Sequence, residues 1–507
     1  MYIVTAKEMY DIDHFAMHTI GLDGKLLMEN AGRAVAEKVT RKISKEDKIC
    51  VLVGAGNNGG DGFVIARTLL DDAYDVNVLQ IVPDEKITGD AHYHKQVYEN
   101  CGGTLLKFAG EDVRAIKEAN VLIDAMIGIG VDGDLREPFA SLVPFINKQK
   151  QKLIISVDIP SGLPANEGVE AYTAIKADHT IIIGAPKLSV FLNDTFSYYG
   201  SWEVVSIGLP TLAFKQHTTK SVWNLKDVKR SLPKREPNDH KGKHGKGIII
   251  GGCIGMPGAL SMSIRAALRA GAGLITGATS EKVIQAVAAN CVEAMYMVLS
   301  EKNGFLDNQA NLILSGYHAV AIGMGIGRRT WTGELVQNVI DNANCPLIID
   351  ADGLYHLSQA LSKLKERDQP TVITPHPGEM AMLLGVSIQE LLQNPFRYAS
   401  EFAKEYRTYV VLKGQYTMIT SPDGKQAVNQ TGNPGLSKGG SGDVLTGIIL
   451  AMIMQKQDLF QALCNACFIH GLSADLLVIQ QHSEHDLLAS DVINGISAAY
   501  RMISDEV

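Results

Sequence analysis

The sequence predicts an α/β protein of two successive domains, each with alternating strands and helices. Three observations support this fold class. A chain of 507 residues is too long for one ordinary core. Short apolar runs alternate with segments of helical periodicity. The alternation stops between about residues 211 and 245 and then restarts. We therefore expect an N-terminal domain over residues 1–215 and a C-terminal domain over residues 225–507.

The N-terminal domain is predicted to be a Rossmann-like, doubly wound parallel sheet. Its candidate strands are mostly continuous apolar runs, which is typical of strands covered on both faces. Spacings of roughly 25 to 45 residues leave room for crossover helices. The candidate strands are "KICVLVGAG" (48–56), "DVNVLQIV" (75–82), "NVLIDAMIG" (120–128), "KLIISVDIP" (152–160), "HTIIIGAP" (179–186) and "EVVSIGLP" (203–210).

The segment from 211 to 245 is predicted to be a linker, because "KRSLPKREPNDHKGKHGKG" has charge, two prolines and no hydrophobic period. A long helix, "GALSMSIRAALRAGAGLIT" (258–276), is predicted after the first strand of the second domain. The candidate strands there are "KGIIIGGC", "HAVAIGMG", "PLIIDADG", "PTVITPHPGE", "TYVVLKG" and "TMITSP".

Composition excludes some classes of partner. A formal net charge of −8 argues against a general nucleic-acid or membrane-surface binder. The N-terminus has no signal-peptide pattern, and no uninterrupted run of about 18 apolar residues predicts a membrane span. Cys464 and Cys467 form a CxxC within a helical pattern, which favours packing over redox or metal chemistry. We expect a cytoplasmic protein without nucleic-acid or membrane partners, and we expect it to form a homo-oligomer.

The first glycine-rich turn, "VGAGNNGGDG" (53–62), joins a strand to a helix predicted to begin near Asp61. Glycines permit close approach of a ligand, and N–H groups at a helix start favour phosphate. Gly54, Gly56 and Gly59 satisfy GxGxxG, which alone is a weak signal. No clear ribose-binding acid ends the next strand, so an ordinary hydride-transfer dehydrogenase is disfavoured.

Polar residues end two further strands of the first domain. Asp124 precedes the loop 128–134, and Asp158 and Ser161 lie in "SVDIPSG". Any one of these residues could simply cap a turn. Because the carboxyl ends of strands in a doubly wound sheet converge on the ligand crevice, the three together predict a functional site.

These motifs resemble those of the NAD(P)H-hydrate epimerases over about residues 1–212, together with "TAKEMYDIDHFAM" and "LLMENAG". The resemblance implies a potassium ion held by Asn58, Asp124 and Ser161. It also implies that Asp158 is the acid/base, since epimerisation at the hydrated ring carbon requires proton transfer. The residues implied to bind the hydrated nicotinamide nucleotide are Asn57, Asn58, Gly59, Gly60, Asp61, Gly128, Ile129, Gly130, Val131, Asp132, Gly133, Asp134 and Asp158.

The second glycine-rich turn, "KGGSGDVLTG" (438–447), precedes an apolar helix. Backbone N–H groups of Gly439 to Gly442 can hold a phosphoryl group as charge builds on it. Asp443 is placed to take a proton from a substrate hydroxyl, although a helix-capping aspartate would look the same. No GxxxxGK[ST] motif occurs, which excludes a P-loop enzyme.

Other polar residues end strands of the second domain. Lys413 ends "VVLKG" and could meet nucleotide phosphates as a point charge. His376 and Glu379 lie in "TPHPGE", where the histidine could equally be a loop residue. "GMGIG" (323–327) and "DADGL" (350–354) add glycines and acids to the same predicted edge.

These motifs resemble the ADP-dependent NAD(P)H-hydrate dehydratases of the ribokinase-like superfamily over about residues 225–505. Cys253 and the serine of "GGSGD" replace a serine and a threonine that are common there. The resemblance implies Mg²⁺ and ADP in this domain. It implies hydrate contacts from Ala259, Gly325, His376 and Asp443. The implied nucleotide contacts are Lys413, Gly414, Gln415, Tyr416, Thr417 and Gly442.

Together the two resemblances imply a bifunctional repair enzyme for hydrated NADH and NADPH. One domain would interconvert the R and S hydrates, and the other would dehydrate the S form with ADP, giving AMP and phosphate. A ribokinase-like small-molecule kinase fused to a nucleotide-binding domain is the main alternative. A non-catalytic nucleotide sensor is another. The preference for ADP or ATP stays open.

Overall fold

A computed structural model describes residues 1–109, 113–131, 133–149, 151–308 and 312–504. The chain divides into two compact units, Tyr2–Thr219 and Lys220–Val507, with Met1 grouped with the second. Each unit has its own buried apolar clusters. Each is therefore described by itself below.

The sheet of the first unit is wholly parallel and doubly wound, as predicted. Alternate residues of its strand Lys48–Val53 pack into cores on opposite faces, Val51 on one and Leu52 on the other. Strand order reverses beside this strand, which creates the crevice where ligands bind in such sheets. In spatial order the strands are Thr104–Lys107, Asp75–Gln80, Lys48–Val53, Val121–Ala125, Leu153–Val157, His179–Ile183 and Ser201–Val205.

The helices of the first unit connect these strands and cover both faces of the sheet. A short strand, Tyr2–Ile3, precedes them. The α-helices are Ala6–His14, Gly24–Thr40, Asn57–Asp71, Gly89–Asn100, Arg114–Glu118, Phe139–Asn147 and Thr211–His217. The π- and 3₁₀-helical segments are Phe15–Ile20, Asp84–Lys86, Leu188–Phe191 and Phe196–Tyr198.

The sheet of the second unit has a parallel centre and two antiparallel pairings. The strand Thr417–Thr420 pairs antiparallel with Thr408–Leu412 on one side and with Gln426–Asn429 on the other. A separate antiparallel pair joins Glu301–Lys302 to Phe305–Leu306. In spatial order the sheet strands are Lys220–Trp223, Gln426–Asn429, Thr417–Thr420, Thr408–Leu412, Thr371–Ile373, Leu347–Ile349, Ala319–Ile322, Lys246–Ile250, Leu274–Thr279 and Met295–Val298.

Two helices of the second unit lie unusually close together. A Cβ atom on Gly447 would lie 2.2 Å from the carbonyl oxygen of Ser263, so only glycine fits there. This contact fixes the start of Ser441–Ile453 against Pro257–Arg269. The other α-helices are Leu225–Ser231, Glu281–Val287, Thr330–Asn342, Asp352–Leu357, Ser362–Lys365, Pro377–Leu384, Ile388–Gln393, Pro395–Tyr406, Leu459–Gln480 and Ala489–Ser504. The 3₁₀ turns are Lys241–His244, Ala288–Asn290 and Pro434–Leu436.

Three sequence-based boundaries are wrong. The predicted helix 258–276 ends at Arg269, because Gly271 adopts a φ of +101° and the strand Leu274–Thr279 follows. The predicted linker 211–245 contains two helices and a strand, Lys220–Trp223. The first glycine turn is already helical at Asn57, four residues before the predicted start.

The sequence also missed several short strands. Thr104–Lys107 and Met295–Val298 are terminal strands of their sheets and are largely exposed, so they lack the apolar run of a central strand. Gln426–Asn429 is buried but carries polar residues at both ends.

The CxxC pair packs in the core, as predicted. Cys464 and Cys467 are free, buried thiols on the helix Leu459–Gln480. Burial raises the pKa of Cys467 to about 12, so the thiol stays protonated and unreactive near neutral pH. This helix is long and apolar enough to cross a membrane by length and composition, although 78% of its most apolar window is buried within the protein. A buried core helix has the same composition.

Gly54→Ala should destabilise the first glycine turn, whereas Gly56→Ala should not. A Cβ atom at Gly54 would lie 1.9 Å from the carbonyl oxygen of Met126, and one at Gly56 would meet nothing within 4 Å. Overpacking against backbone should cost about 2 kcal/mol or more. Hydrogen exchange of peptides covering residues 48–71 measures this difference. Equal exchange in the two variants would contradict the packing described.

Candidate active sites

A cavity of about 830 Å³ opens at the carboxyl ends of the strands of the first unit. Its wall combines the first glycine turn, the strand end at Asp158 and residues of the N-terminal helices. The size is within the usual range for small-molecule sites. The predicted site residues that line it are Asn57, Asn58, Asp61, Gly128, Ile129, Gly130 and Asp158.

Some predicted residues lie behind the cavity wall. A Cβ atom on Gly59 would lie 2.2 Å from the carbonyl oxygen of Gly54, and one on Gly60 would lie 2.4 Å from the sulfur of Met28. These two glycines therefore permit close packing of the turn. Val131, Gly133 and Asp134 are not among the residues that line the cavity, and Asp132 lies outside the described residues.

Asp124 is fully buried at the end of its strand and is held by serines. Its carboxylate accepts hydrogen bonds from the hydroxyl of Ser156 (2.8 Å) and from the backbone N–H (2.9 Å) and hydroxyl of Ser161. Burial raises the pKa of Asp124, and the hydrogen bonds from the serines oppose that rise. The Ser161 hydroxyl also accepts from the N–H of Ile127 (2.8 Å), which fixes the loop that follows Asp124.

Asn58 packs against the loop that follows Asp124, since a Cβ atom on Gly128 would lie 3.4 Å from the Asn58 Cβ. It is 6% exposed, and among the described residues neither its amide oxygen nor its amide nitrogen has a hydrogen-bond partner. Buried polar atoms are rarely left without a partner, so an unpaired pair of this kind indicates a bound group. A hard cation would take the amide oxygen as a ligand. The residues present therefore fit a potassium site.

A lysine with 1% exposure pairs with the predicted acid/base. The ammonium of Lys187 and the backbone N–H of Ile183 (3.0 Å) both donate to the Asp158 carboxylate. Asp158 itself adopts a φ of +66°, a strained conformation for a residue with a side chain. The strain turns the carboxylate toward the cavity wall, which it lines.

Two more carboxylates share this cavity. Burial raises the pKa of Asp61 well above its usual range, and the charges of Asp158 and Asp13 add to the rise. Burial likewise raises the pKa of Asp13 to about 6, with Lys187 opposing the shift and Asp158 adding to it. The cavity therefore contains two carboxyl groups with raised pKa values beside the Asp158–Lys187 ion pair, an arrangement suited to proton transfer.

Sequence reasoning missed Asp13 and Lys187. Asp13 lies on the helix Ala6–His14, and no pattern in the sequence places that helix near the end of a strand. Lys187 follows the strand His179–Ile183 by four residues, so a search for polar residues after every strand would have found it.

The second glycine turn leads into the helix Ser441–Ile453, as predicted. Gly440 is the N-cap residue, with a φ of +96°, and the N-terminal N–H groups of this helix receive no side-chain capping hydrogen bond from it. A Cβ atom on Gly439 would meet nothing within 4 Å, so the space in front of the turn is open. The N–H groups of Gly442 and Asp443 bond to no backbone carbonyl in the described part of the chain. This arrangement can hold an anion.

Asp350 lies under this turn with 1% exposure. It accepts from the ammonium of Lys413 (3.0 Å) and the hydroxyl of Thr446 (2.6 Å). Burial alone would raise the pKa of Asp350, but the Lys413 charge and these hydrogen bonds hold it below its usual value. The next residue, Ala351, has a φ of +49°, so the strand end at Asp350 is strained. The Asp350–Lys413 ion pair thus fixes the Lys413 ammonium beside the glycine turn.

Asp443 is half-buried in the first turn of its helix. Burial raises the pKa of Asp443 to about 7, the charge of Asp350 adds to the rise, and Lys413 opposes it. Its carbonyl oxygen accepts from the Ser263 hydroxyl (2.9 Å). A carboxyl group with a pKa near neutrality is suited to act as a general base.

His376 caps a helix in this structure. Its Nδ1 accepts from the backbone N–H groups of Gly378 (3.0 Å) and Glu379 (3.3 Å), at the start of Pro377–Leu384. The Glu379 carboxylate lies 3.9 Å from Lys413, which continues the charged row from Asp350. The His376 side chain is 57% exposed, and its Nε2 lies 3.4 Å from the Glu379 carboxylate.

The remaining predicted residues of the second site surround this row. A Cβ atom on Gly325 would lie 3.0 Å from that of Ala259. A Cβ atom on Gly442 would lie 3.4 Å from the Lys413 ammonium. Gly414, Gln415 and Tyr416 form the turn between two antiparallel strands, and Thr417 begins the second of them.

Among the described residues, no group of three or more His, Cys, Asp or Glu side chains is placed to hold a metal ion.

Comparison with known proteins assigns both halves of the chain. Residues 248–497 match the family described as NAD(P)H-hydrate dehydratase, and residues 24–189 match the YjeF-related protein N-terminus family. A bifunctional NAD(P)H-hydrate repair enzyme from Moorella thermoacetica is 35% identical over 522 residues, covering 100% of this chain and 98% of that relative. The one from Vibrio cholerae is 34% identical and covers 97% of each chain.

Solved structures match the second unit. An ADP/ATP-dependent NAD(P)H-hydrate dehydratase from Bacillus subtilis, co-crystallised with ATP/Mg²⁺, is 35% identical, with a TM-score of 0.50. The match covers 56% of this chain and 99% of that one. A ribokinase-like superfamily protein from Enterococcus faecalis is 24% identical, with a TM-score of 0.50. The match covers 57% of this chain and 98% of that one, and it shows the same fold. The predicted ribokinase-like fold class is confirmed. By its full-length match to relatives of this kind, the chain belongs to the family of bifunctional NAD(P)H-hydrate repair enzymes.

Proposed function

We propose that the first cavity epimerises hydrated NADH and NADPH and that the second glycine turn dehydrates the S hydrate with a nucleoside diphosphate. The observation that carries the proposal is Asp443, a carboxyl group with a pKa of about 7 at a helix start with free N–H groups. A phosphoryl acceptor and a phosphoryl group can meet there, as the reaction needs.

In the second site the ring hydroxyl of the hydrate would attack the terminal phosphate of the nucleotide. Asp443 would accept the hydroxyl proton, and the N–H groups of Gly442 and Asp443 would hold the transferring phosphoryl group. Lys413, fixed by Asp350, would balance the added negative charge. Departure of phosphate from the ring carbon, with loss of the neighbouring proton, restores the double bond. Bound Mg²⁺ would supply further charge neutralisation on the phosphates.

The nucleotide in this reaction is proposed to be ADP, which leaves as AMP. The Bacillus relative is described as ADP/ATP-dependent and binds ATP/Mg²⁺ in its crystals. The turn from Lys413 to Thr417 is the proposed nucleotide contact. Ala259, Gly325 and His376 are the proposed contacts to the hydrate, as the resemblance of their motifs to the dehydratases implies, and a Cβ atom on Gly325 would lie 3.0 Å from that of Ala259.

In the first site Asp158 is the proposed acid/base. The Lys187 ammonium donates to the Asp158 carboxylate, and the pKa values of Asp13 and Asp61 are raised. Asp13 or Asp61 would protonate the hydroxyl so that water leaves the ring carbon, and Asp158 would take a proton from the water that adds to the opposite face, which inverts that carbon. Asn57, Gly128, Ile129 and Gly130 line the remaining wall and would orient the nicotinamide ring.

Potassium is the proposed ion at Asn58, Asp124 and Ser161. Its support is the buried amide of Asn58, which has no partner among the described residues, and the buried carboxylate of Asp124. The ion would lower the cost of keeping Asp124 ionised and would hold the loop that begins at Ile127. That loop carries Gly128 to Gly130 into the cavity wall.

Asp443→Asn should reduce dehydratase turnover by roughly 100- to 10,000-fold, the usual cost of losing a general base. Epimerase activity of the same preparation should stay at the wild-type level, and retained ADP binding shows that the second unit of the variant is folded. Reduced-nicotinamide absorbance after adding ADP to the S hydrate measures the loss. Dehydratase turnover within about threefold of wild type would rule out Asp443 as the base.

The pH dependence gives a second test of the same residue. The base form of Asp443 is populated above a pKa of about 7, so kcat/KM of wild-type dehydration should rise with pH below 7 and level off above it. Asp352→Asn is the matched control, since the Asp352 charge helps to raise the pKa of Asp443. In the Asp352→Asn variant, the midpoint of the kcat/KM profile should move to lower pH, and most of the turnover should be retained. A pH-independent wild-type profile between 5 and 8 contradicts the assignment.

Potassium should support epimerisation through Asn58. Exchange into a large organic cation should slow interconversion of the two hydrates at least several-fold, and Asn58→Ala and Asp124→Ala should remove the response to potassium. Asn57→Ala is the control, because Asn57 is exposed and lines the cavity without joining the serine network. It should weaken hydrate binding and keep the potassium response. Interconversion that is indifferent to the cation would show that the proposed ion site is wrong.

A further inference from the structure

A second cavity, of about 760 Å³, lies within the Lys220–Val507 unit and contains none of the residues assigned above. The end of the helix Pro257–Arg269, the helix Ala489–Ser504 and residues 229–235 contribute to its wall. Four cationic side chains line it, and no aspartate or glutamate of the described residues does. The four are Lys229, Lys234, Arg235 and Arg269.

Arg235 is held in a fixed orientation. Its Nη2 donates to the carbonyl oxygen of Gly271 (2.7 Å). Gly271 has a φ of +101°, and a Cβ atom there would lie 2.8 Å from that nitrogen. Glycine is therefore needed for the guanidinium to approach. In the part of the chain that the structure describes, Lys234, Arg235 and Arg269 form no ion pair with a carboxylate.

Helix capping explains only part of this charge. Cations near a helix C-terminus are favoured by the helix dipole, and Arg235 serves in this way. The neighbouring carbonyl oxygen of Ala270 is already bonded by the hydroxyl of Tyr500 (2.8 Å) and by Gln455 (3.4 Å). Lys234 and Arg269 therefore add positive charge beyond the capping interactions at Ala270 and Gly271. These exposed like charges meet no acid among the described residues of the cavity, so a bound anion would be favoured there.

The rest of the wall is apolar. Leu232, Pro233, Leu268 and Ile503 line the same cavity, and the ring of Tyr500 lies among them. A ligand that fits this wall has an anionic group for the cations and a non-polar body for these side chains. The volume is that of a small-molecule site, which favours a metabolite over an extended polyanion.

We infer that this cavity binds a small phosphorylated molecule, with its phosphate on Arg235, Lys234 and Arg269 and its non-polar part against Leu268 and Ile503. Guanidinium groups match phosphate geometry with two parallel hydrogen bonds, and the fixed Arg235 is already oriented. The site is separate from the glycine turn that handles phosphoryl transfer.

Calorimetric titration of the full chain with phenyl phosphate, in saturating ADP to fill the nucleotide site, tests the inference. The double variant Lys234→Gln/Arg269→Gln should bind at least tenfold more weakly than wild type. The double variant Lys86→Gln/Lys404→Gln removes the same net charge from exposed positions outside the cavity and should bind within twofold of wild type. Phenol should not bind measurably, and inorganic phosphate should bind more weakly than phenyl phosphate.

Three results would overturn the inference. The first is equal affinity of both double variants for phenyl phosphate, and the second is equal binding of phenol. The third is binding that appears only after removal of residues 505–507, since the acidic end of the chain would then be the natural occupant. Both double variants should keep wild-type epimerase and dehydratase rates, which confirms that they fold and that the cavity is not a catalytic site.

Discussion

A carboxylate buried at the end of a parallel strand has to be neutralised or hydrogen-bonded, and each unit of this protein is organised around one such group. Asp124 is held by Ser156 and Ser161, and Asp350 is held by Lys413 and Thr446. Leaving either charge unpaired would cost several kcal/mol, by the order of magnitude for buried ions. The strand, loop and helix residues that supply these partners are therefore fixed in place. In the first unit, the nearby residues Ile127 and Asp158 line the cavity.

The two glycine-rich turns look alike in sequence but differ in what their glycines do. In the first turn Gly54 and Gly59 permit backbone contacts that no larger residue allows. In the second, Gly439 faces open space, and the N–H groups of Gly442 and Asp443 bond to no backbone carbonyl among the described residues. The first turn therefore builds a cavity wall, and the second presents donors to an anion. This difference agrees with an acid/base reaction at one site and phosphoryl transfer at the other.

Much of the fold could be predicted from the sequence, because central parallel strands are continuous apolar runs and their polar ends stand out. Asp124, Asp158 and Lys413 were found this way. Edge strands such as Thr104–Lys107 were missed, since exposure removes the apolar signal. Asp13 was missed because it reaches the cavity from a helix distant in sequence. The roles of Gly59 and Gly60 could not be predicted either, because close packing and ligand contact need the same residue type.

The central claim is that two separate sites in one chain act on the two hydrates in turn. The most direct measurement supplies the purified R and S hydrates separately, with ADP, to the Asp158→Asn variant. The account predicts that the S hydrate is repaired at the wild-type rate, while the R hydrate is repaired only as fast as it converts spontaneously. Repair of the R hydrate at the wild-type rate, or loss of repair of the S hydrate in a folded variant, would contradict it.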